Sequence, residues 1–250
     1  MSNPIVIGIF VALTFTAAGF VKGVVGMGLP TVAMGLLSLV MAPATAATLL
    51  IVPSLVTNIW QLVAGPRLAM LLRRLSTMMI AVCVGTAAGI GVLTGASSSI
   101  ANAILGAILA AYGIIGLAAR RFTVSPRAEP WLSPLVGMVT GLITGATGVF
   151  VVPAVPYLGS LGLAREKLIQ ALGLSFTVST VALAAALALT GKYQLAAAGS
   201  SALAVLPALA GMFVGQRVRD RLHPDAFRRW FFIGLVLLGI YMLVRALLPK

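Results

Sequence analysis

The chain has 250 residues, of which 60% are hydrophobic and only 8% charged. A soluble domain carries roughly 25% charged residues, so this composition excludes one. The net charge of +13 comes from bases gathered in short links between apolar runs. That is the pattern of cytoplasmic membrane loops and argues against a nucleic-acid partner.

Apolar runs of about 15–25 residues without alternation read as membrane-crossing helices and not as a β-barrel. In chain order the predicted segments are 5–21, 24–40, 44–64, 75–95, 100–119, 132–147, 149–163, 168–190, 195–215 and 230–248. The fold class is therefore an all-α polytopic membrane protein with about 8–10 hydrophobic segments. No basic stretch precedes segment 5–21, which reads as a retained membrane segment and not a cleaved signal. Segment 149–163 contains Pro153 and Pro156, so the first two segments of each half are expected to include broken or re-entrant helices.

The link 120–131, with Pro126 and Pro130, separates a first membrane repeat, 1–119, from a second, 132–250. In the first half the bases fall at Lys22 and at Arg67, Arg73 and Arg74. In the second they fall at Arg165 and Lys167, at Lys192, and at Arg217, Arg219, Arg221, Arg228 and Arg229. The two patterns are nearly complementary. Corresponding links then face opposite sides, as in inverted-topology repeats of transporters. This puts the central link, with Arg120, Arg121 and Arg127, in the cytoplasm and both termini outside.

The stretch "GFVKGVVGMG" begins at Gly19, and its glycines 19, 23 and 26 recur at 141, 145 and 148. Two readings are open. The GxxxG spacing suits close helix packing. A helix break would let backbone N–H groups and a helix N-terminus approach an anion.

The stretches "GFVKGVVGMGLPTVAMGLL", "LLIVPSLVTNIWQLVAG" and "GLITGATGVFVVPAVPYLG" resemble the sulfite exporter TauE/SafE family, also called the 4-toluene sulfonate uptake permease family. The resemblance runs over the whole chain. It implies a multi-pass protein of the bacterial inner membrane that moves small anions, chiefly sulfur oxyanions and sulfonates. The second copy departs from the denser glycine run of the family, reading Gly148, Val149, Phe150.

The candidate substrate-binding residues are Lys22, Gly23, Gly26, Gly28, Asn58, Gln61, Thr144, Gly145, Gly148 and Ser175. Lys22 offers a fixed cation, with snorkelling to the interface as its bland alternative. Thr144 holds the matching place in the second half. Asn58 and Gln61 lie at i, i+3 on one helix face and are costly to bury without partners. Pro53 upstream frees carbonyls near them.

The only acids are Glu129, Glu166, Asp220 and Asp225, all expected in links. Apolar runs without Asp, Glu or His disfavour proton relays and a divalent-metal path. Cys83 is the only cysteine, and His223 sits in a basic loop. No catalytic motif, metal site or cofactor is expected, so the chain reads as a non-enzyme. An anion leaving a negative-inside cell gains about 2.3 kcal/mol per charge at 100 mV. This favours anion export, and with the substrate class that the resemblance implies the expected function is export of sulfite or an organosulfonate. The alternatives are an importer of a small carboxylate or sulfonate, and a non-transporting membrane scaffold or accessory subunit. The expected partners are a small anionic substrate, the lipid bilayer and a second copy of the chain.

Overall fold

The computed structural model describes residues 4–118, 123–191, 199, 201–219, 221 and 224–248, and it has no strand among them. The first half comprises α1 (Pro4–Val25), α2 (Leu29–Leu37), α3 (Pro43–Val63), α4 (Leu68–Arg74), α5 (Ser76–Gly95) and α6 (Ser98–Ala118). The second comprises α7 (Glu129–Thr147), α8 (Ala154–Ser160), α9 (Arg165–Leu189), α10 (Val205–Arg219) and α11 (Pro224–Leu247). Among the described residues, 7 helices are long and apolar enough to cross a membrane: α1, α3, α5, α6, α9, the helix Ser201–Arg219 that contains α10, and most of α11. With 19 residues, α7 matches them in length. Exposed Leu13, Ile80, Val181, Leu203 and Leu237 lie on the outside of this bundle, where acyl chains would solvate them.

The first two segments of each half do include broken helices, as expected, and the breaks fall at particular residues. Segment 5–21 continues past residue 21, because α1 runs unbroken through Lys22 to Val25. Segment 24–40 is consequently not one helix. Gly26 and Gly28 adopt φ values of +81° and +103°, and the helix restarts only at Leu29. Likewise segment 149–163 is a buried non-helical stretch, Val149 to Val152, followed by the 7-residue α8. At a rise of about 1.5 Å per residue, α2 and α8 are about 10–14 Å long and cannot span alone. The central link is also shorter than expected, since α7 opens at Glu129. Glu129 and Glu166 begin helices instead of lying in loops. Arg120, Arg121, Lys192, Asp220 and His223 lie outside the described residues, as does part of segment 195–215.

The four principal helix pairs each join one half to the other: α1 with α10, α5 with α7, α3 with α9, and α6 with α11. Exchanging the halves leaves this set of pairs unchanged. The glycines make the match residue by residue. Gly19 faces the backbone of Ala208, and Gly23 faces Met212 and Gln216. Gly141 faces Val82, and Gly145 faces Thr86 and Ile90, in the same way. From the opposite side, Gly211 meets Thr16 and Phe20 as Gly85 meets Met138 and Leu142. Rising numbers meet rising numbers, so both pairs run parallel. In hydrocarbon, where lipid tails compete equally for apolar side chains, such backbone-to-backbone approach is a main source of helix association. The other two pairs are antiparallel: Gly173 meets Leu62 while Thr180 meets Ser54, and Gly106 meets Gly239 while Gly113 meets Phe232.

One end of the bundle is tied by polar contacts. Arg74 grips Glu129 through two bonds, Nε to Oε1 at 2.6 Å and Nη2 to Oε2 at 2.7 Å, joining α4 to the start of α7. The bond to Glu129 raises the Arg74 pKa above its ordinary value. Gln170 closes the α3–α4 link. Its Nε2 donates to Leu62 O at 3.0 Å and Gly65 O at 2.6 Å, and its Oε1 accepts from Arg67 N at 3.0 Å.

This packing yields a stability test. Gly141→Val and Gly211→Val each place a branched side chain against a facing backbone carbonyl, and each should cost about 1–3 kcal/mol. Gly91→Ala adds a methyl where no atom lies within 4 Å and should leave stability unchanged or raise it. Thermal denaturation of the detergent-solubilised variants checks this; equal melting temperatures for all three would refute the packing account.

Candidate functional site

The last turn of α1 carries Lys22, which is 4% exposed. Its Nζ donates to Thr57 Oγ1 at 3.0 Å and to Asn58 Oδ1, both on α3. Asn58 in turn donates from Nδ2 to Ser54 Oγ at 3.2 Å and, across to α9, to Thr180 Oγ1 at 3.3 Å. Lys22, Ser54, Thr57, Asn58 and Thr180 are all buried. They form one connected polar cluster where α1, α3 and α9 meet.

Local sequence explains the arrangement. Pro53 has no N–H, so the carbonyl of Leu49 is released from the α3 ladder. Ser201 takes it, with Oγ donating to Leu49 O at 2.8 Å. One turn later Thr57 donates to Pro53 O at 2.8 Å, which leaves its oxygen lone pairs for Lys22. The pair Asn58 and Thr180 is set by the repeat. Thr180 stands 122 residues after Asn58, the same offset as the glycines. The antiparallel α3 and α9 therefore cross where matching positions of the two halves meet.

An ammonium has three N–H donors, and two are used here. No carboxylate joins the cluster. Of the two acids with described side chains, Glu129 is held by Arg74 and Glu166 lies in the first turn of α9. Burying an unpaired cation costs several kcal/mol unless something compensates it. Neutral oxygens supply part of that compensation, and an anion on the third donor would complete it. No group of three or more metal-ligating side chains occurs among the described residues.

Gln61 lies one turn beyond Thr57 and donates from Nε2 to Gly26 O at 3.1 Å and Ile169 O at 3.0 Å. Its Oε1 is buried with no partner. It holds the helix break against α3 and α9. At the break Gly28 caps α2 in a left-handed conformation, and no side chain bonds the first N–H groups of α2. The space beside Gly26 is open, with no atom within 4 Å of an added Cβ.

The second half is built differently at the matching positions. The Thr144 hydroxyl donates to Thr140 O of its own helix at 2.7 Å. Gly148, at φ +72°, ends α7 as Gly26 ends α1. Where Gly28 would recur the chain has Phe150, fully buried against Phe176 with ring centroids 5.4 Å apart. Ser175 is buried with an unpartnered hydroxyl, and Ser179 shares its helix face in the same state.

Of the residues named from sequence, Lys22 and Asn58 touch directly, and Gln61 reaches the backbone of Gly26. Gly23 and Gly145 lie at helix contacts against α10 and α5. No hydrogen bond joins Thr144 or Ser175 to Lys22. Ser54, Thr57 and Thr180 belong to the cluster but were absent from the sequence selection. Carrying the glycine offset onto Asn58 would have found Thr180.

Helices that pack backbone to backbone and an apolar exterior define a multi-pass membrane protein. The chain matches the sulfite exporter TauE/SafE family over residues 11–242 and belongs to that transporter family. Comparisons with curated proteins and with solved structures return no match.

Two variants probe the site without substrate. Asn58→Ala removes an acceptor from Lys22 and the donor to Thr180, and should lower stability by about 1–3 kcal/mol. Thr144→Val loses only a bond within its own helix and should cost less. Thermal melts in detergent compare the two; a larger loss for Thr144→Val would contradict the connectivity described.

Proposed function

We propose that the protein exports a small anion, sulfite or an organosulfonate, from the cytoplasm across the bacterial inner membrane. The observation that carries this reading is the buried Lys22 ammonium, partnered by Thr57 and Asn58 and by no carboxylate among the described residues. The uncapped start of α2 adds a positive dipole end beside the same break. Family membership supplies the substrate class.

The helix directions support the inverted arrangement. With α3 taken as rising, α5 falls, α6 rises, and α7 falls parallel to α5. Then α9 falls antiparallel to α3, α10 rises parallel to α1, and α11 falls antiparallel to α6. Corresponding helices of the two halves thus oppose each other. The same tracing gathers Arg67, Arg73, Arg74, Arg127, Arg165, Lys167, Arg217 and Arg219 at one end, which is the cytoplasmic end by the positive-inside rule. Both described ends of the chain, at Pro4 and Leu248, fall at the other. In this scheme the α1–α10 and α5–α7 pairs move as units about the α3–α9 crossing, opening the cluster to either side.

Transport is electrogenic and draws on the membrane potential, worth about 2.3 kcal/mol per charge at 100 mV. In proteoliposomes loaded with sulfite, an inside-negative potential set with potassium and valinomycin should accelerate efflux. Lys22→Gln should weaken anion affinity by about 1–3 kcal/mol while the protein stays folded. Efflux indifferent to potential, or coupled stoichiometrically to protons, would refute the mechanism. Unchanged affinity in folded Lys22→Gln would remove the lysine from it.

Orientation has its own check. In a Cys83→Ser background, a cysteine at position 125 should react with impermeant reagents only from the cytoplasmic side. Labelling from outside in intact cells would reverse the assignment.

A further inference from the structure

A second polar cavity lies at the opposite end of the bundle from Arg74 and Glu129. The turn between α2 and α3, the start of α6 and the end of α11 enclose it, with a volume of about 280 Å³. The length of α3, about 30 Å, separates this level from the α3–α4 link. Four features of its lining point to one ligand chemistry.

Arg245 stands at its rim and donates one N–H, from Nη1, to Leu39 O at 3.0 Å. A guanidinium has five donors, so four remain. It is the sole charged residue of the lining among the described residues. Ser38 also lines the cavity. It is 4% exposed, and its hydroxyl has no partner. A buried hydroxyl that bonds nothing costs about 1–3 kcal/mol, and a ligand in the cavity would relieve that. Asn102 contributes a buried amide oxygen that is likewise unpartnered, and a half-turn of that amide presents two N–H donors instead. Finally, the first turn of the 21-residue α6 lines the wall with Ser98 and Ser99. The positive end of the α6 dipole falls there. Ser99 Oγ is committed to Ala246 O at 2.9 Å.

We infer that this cavity is a second oxyanion-binding site, taking a small inorganic oxyanion or the phosphodiester of a lipid headgroup. Donors and one guanidinium converge on it, and among the described residues no carboxylate lines it. It is separate from the Lys22 cluster. A neighbouring cavity of about 470 Å³ shares Ala42 and Ser98 with it and extends along the first turns of α3 to Thr48. Ser54 of the central cluster lies six residues further along α3, about 9 Å on. An anion released outward from Lys22 would meet this site next, a placement that rests on the export reading, whereas the binding itself does not.

The test uses purified full-length Lys22→Gln protein in detergent, so that the central site is silent. Sodium sulfate and phosphatidylglycerol are titrated separately, and then in competition, by calorimetry at constant ionic strength. One saturable site should remain for at least one probe. Arg245→Gln should weaken it by about tenfold or more, and Ser38→Ala by several-fold, with melting temperatures unchanged. Sulfate binding without phosphatidylglycerol binding assigns the site to a free oxyanion. Phosphatidylglycerol binding that excludes sulfate assigns it to lipid, and either result upholds an oxyanion site. Absence of saturable binding by both probes overturns the inference, as does binding that both substitutions leave intact. Failure of potential-driven efflux would not alter this readout, so the two readings fail separately.

Discussion

A buried ammonium must be solvated by something, and the centre of this protein is arranged around that requirement. Lys22 is withdrawn from solvent at the end of α1, and the described cluster offers it only neutral oxygens, from Thr57 and Asn58. Thr57 can serve because its own proton goes to the Pro53 carbonyl. Asn58 can serve because its amide nitrogen is spent on Ser54 and Thr180. Each acceptor is freed for the lysine by a neighbour that absorbs its donors. Such a network is expensive in an apolar bundle unless every member is satisfied, and one lysine donor remains for a ligand.

The same glycine motif performs two separate physical tasks. Its first members, Gly19 and Gly23, bring α1 against the α10 backbone, and Gly141 and Gly145 do so for α7 and α5. Its third members, Gly26 and Gly148, turn the chain out of the helix with positive φ. Packing and breaking are thus successive functions along one stretch, not competing explanations of it. The break after α1 leaves the buried start of α2 without a side-chain cap, and Gln61 bonds the Gly26 carbonyl beside it. The halves differ at Lys22, which Thr144 replaces in the second, and again beyond the break, where Gly28 in one corresponds to buried Phe150 in the other. The polar break therefore belongs to the first half, and the second closes with an aromatic contact.

Much of the architecture was legible in the chain. Segment existence follows from the length of apolar runs, because a bilayer demands satisfied backbone over a fixed thickness. The 122-residue offset is read directly from the glycine spacing. What sequence left open was local, namely where each expected break falls. Segment 24–40 reads as one apolar run, and only backbone conformation at Gly26 and Gly28 reduces it to the 9-residue α2. Hydropathy cannot detect a positive φ.

The sequence by itself determined that this is an all-helical membrane protein with glycines recurring at a 122-residue offset and a lysine among apolar residues. It also determined the scarcity of acids, which is a property of composition. Tertiary structure alone decided which polar residues meet. Thr57 and Thr180 look like any other membrane threonine that bonds its own helix, and both do so. Only the crossing of α3 with α9, and the seating of α1 beside them, turns those hydroxyls into partners of Asn58 and Lys22. Thr144, which matches Lys22 by offset, bonds its own helix in the same way, and the neighbouring helices bring no such partner to it. Sequence periodicity reports which face of a helix a residue occupies, but the identity of the facing helix is set by packing between segments distant in the chain.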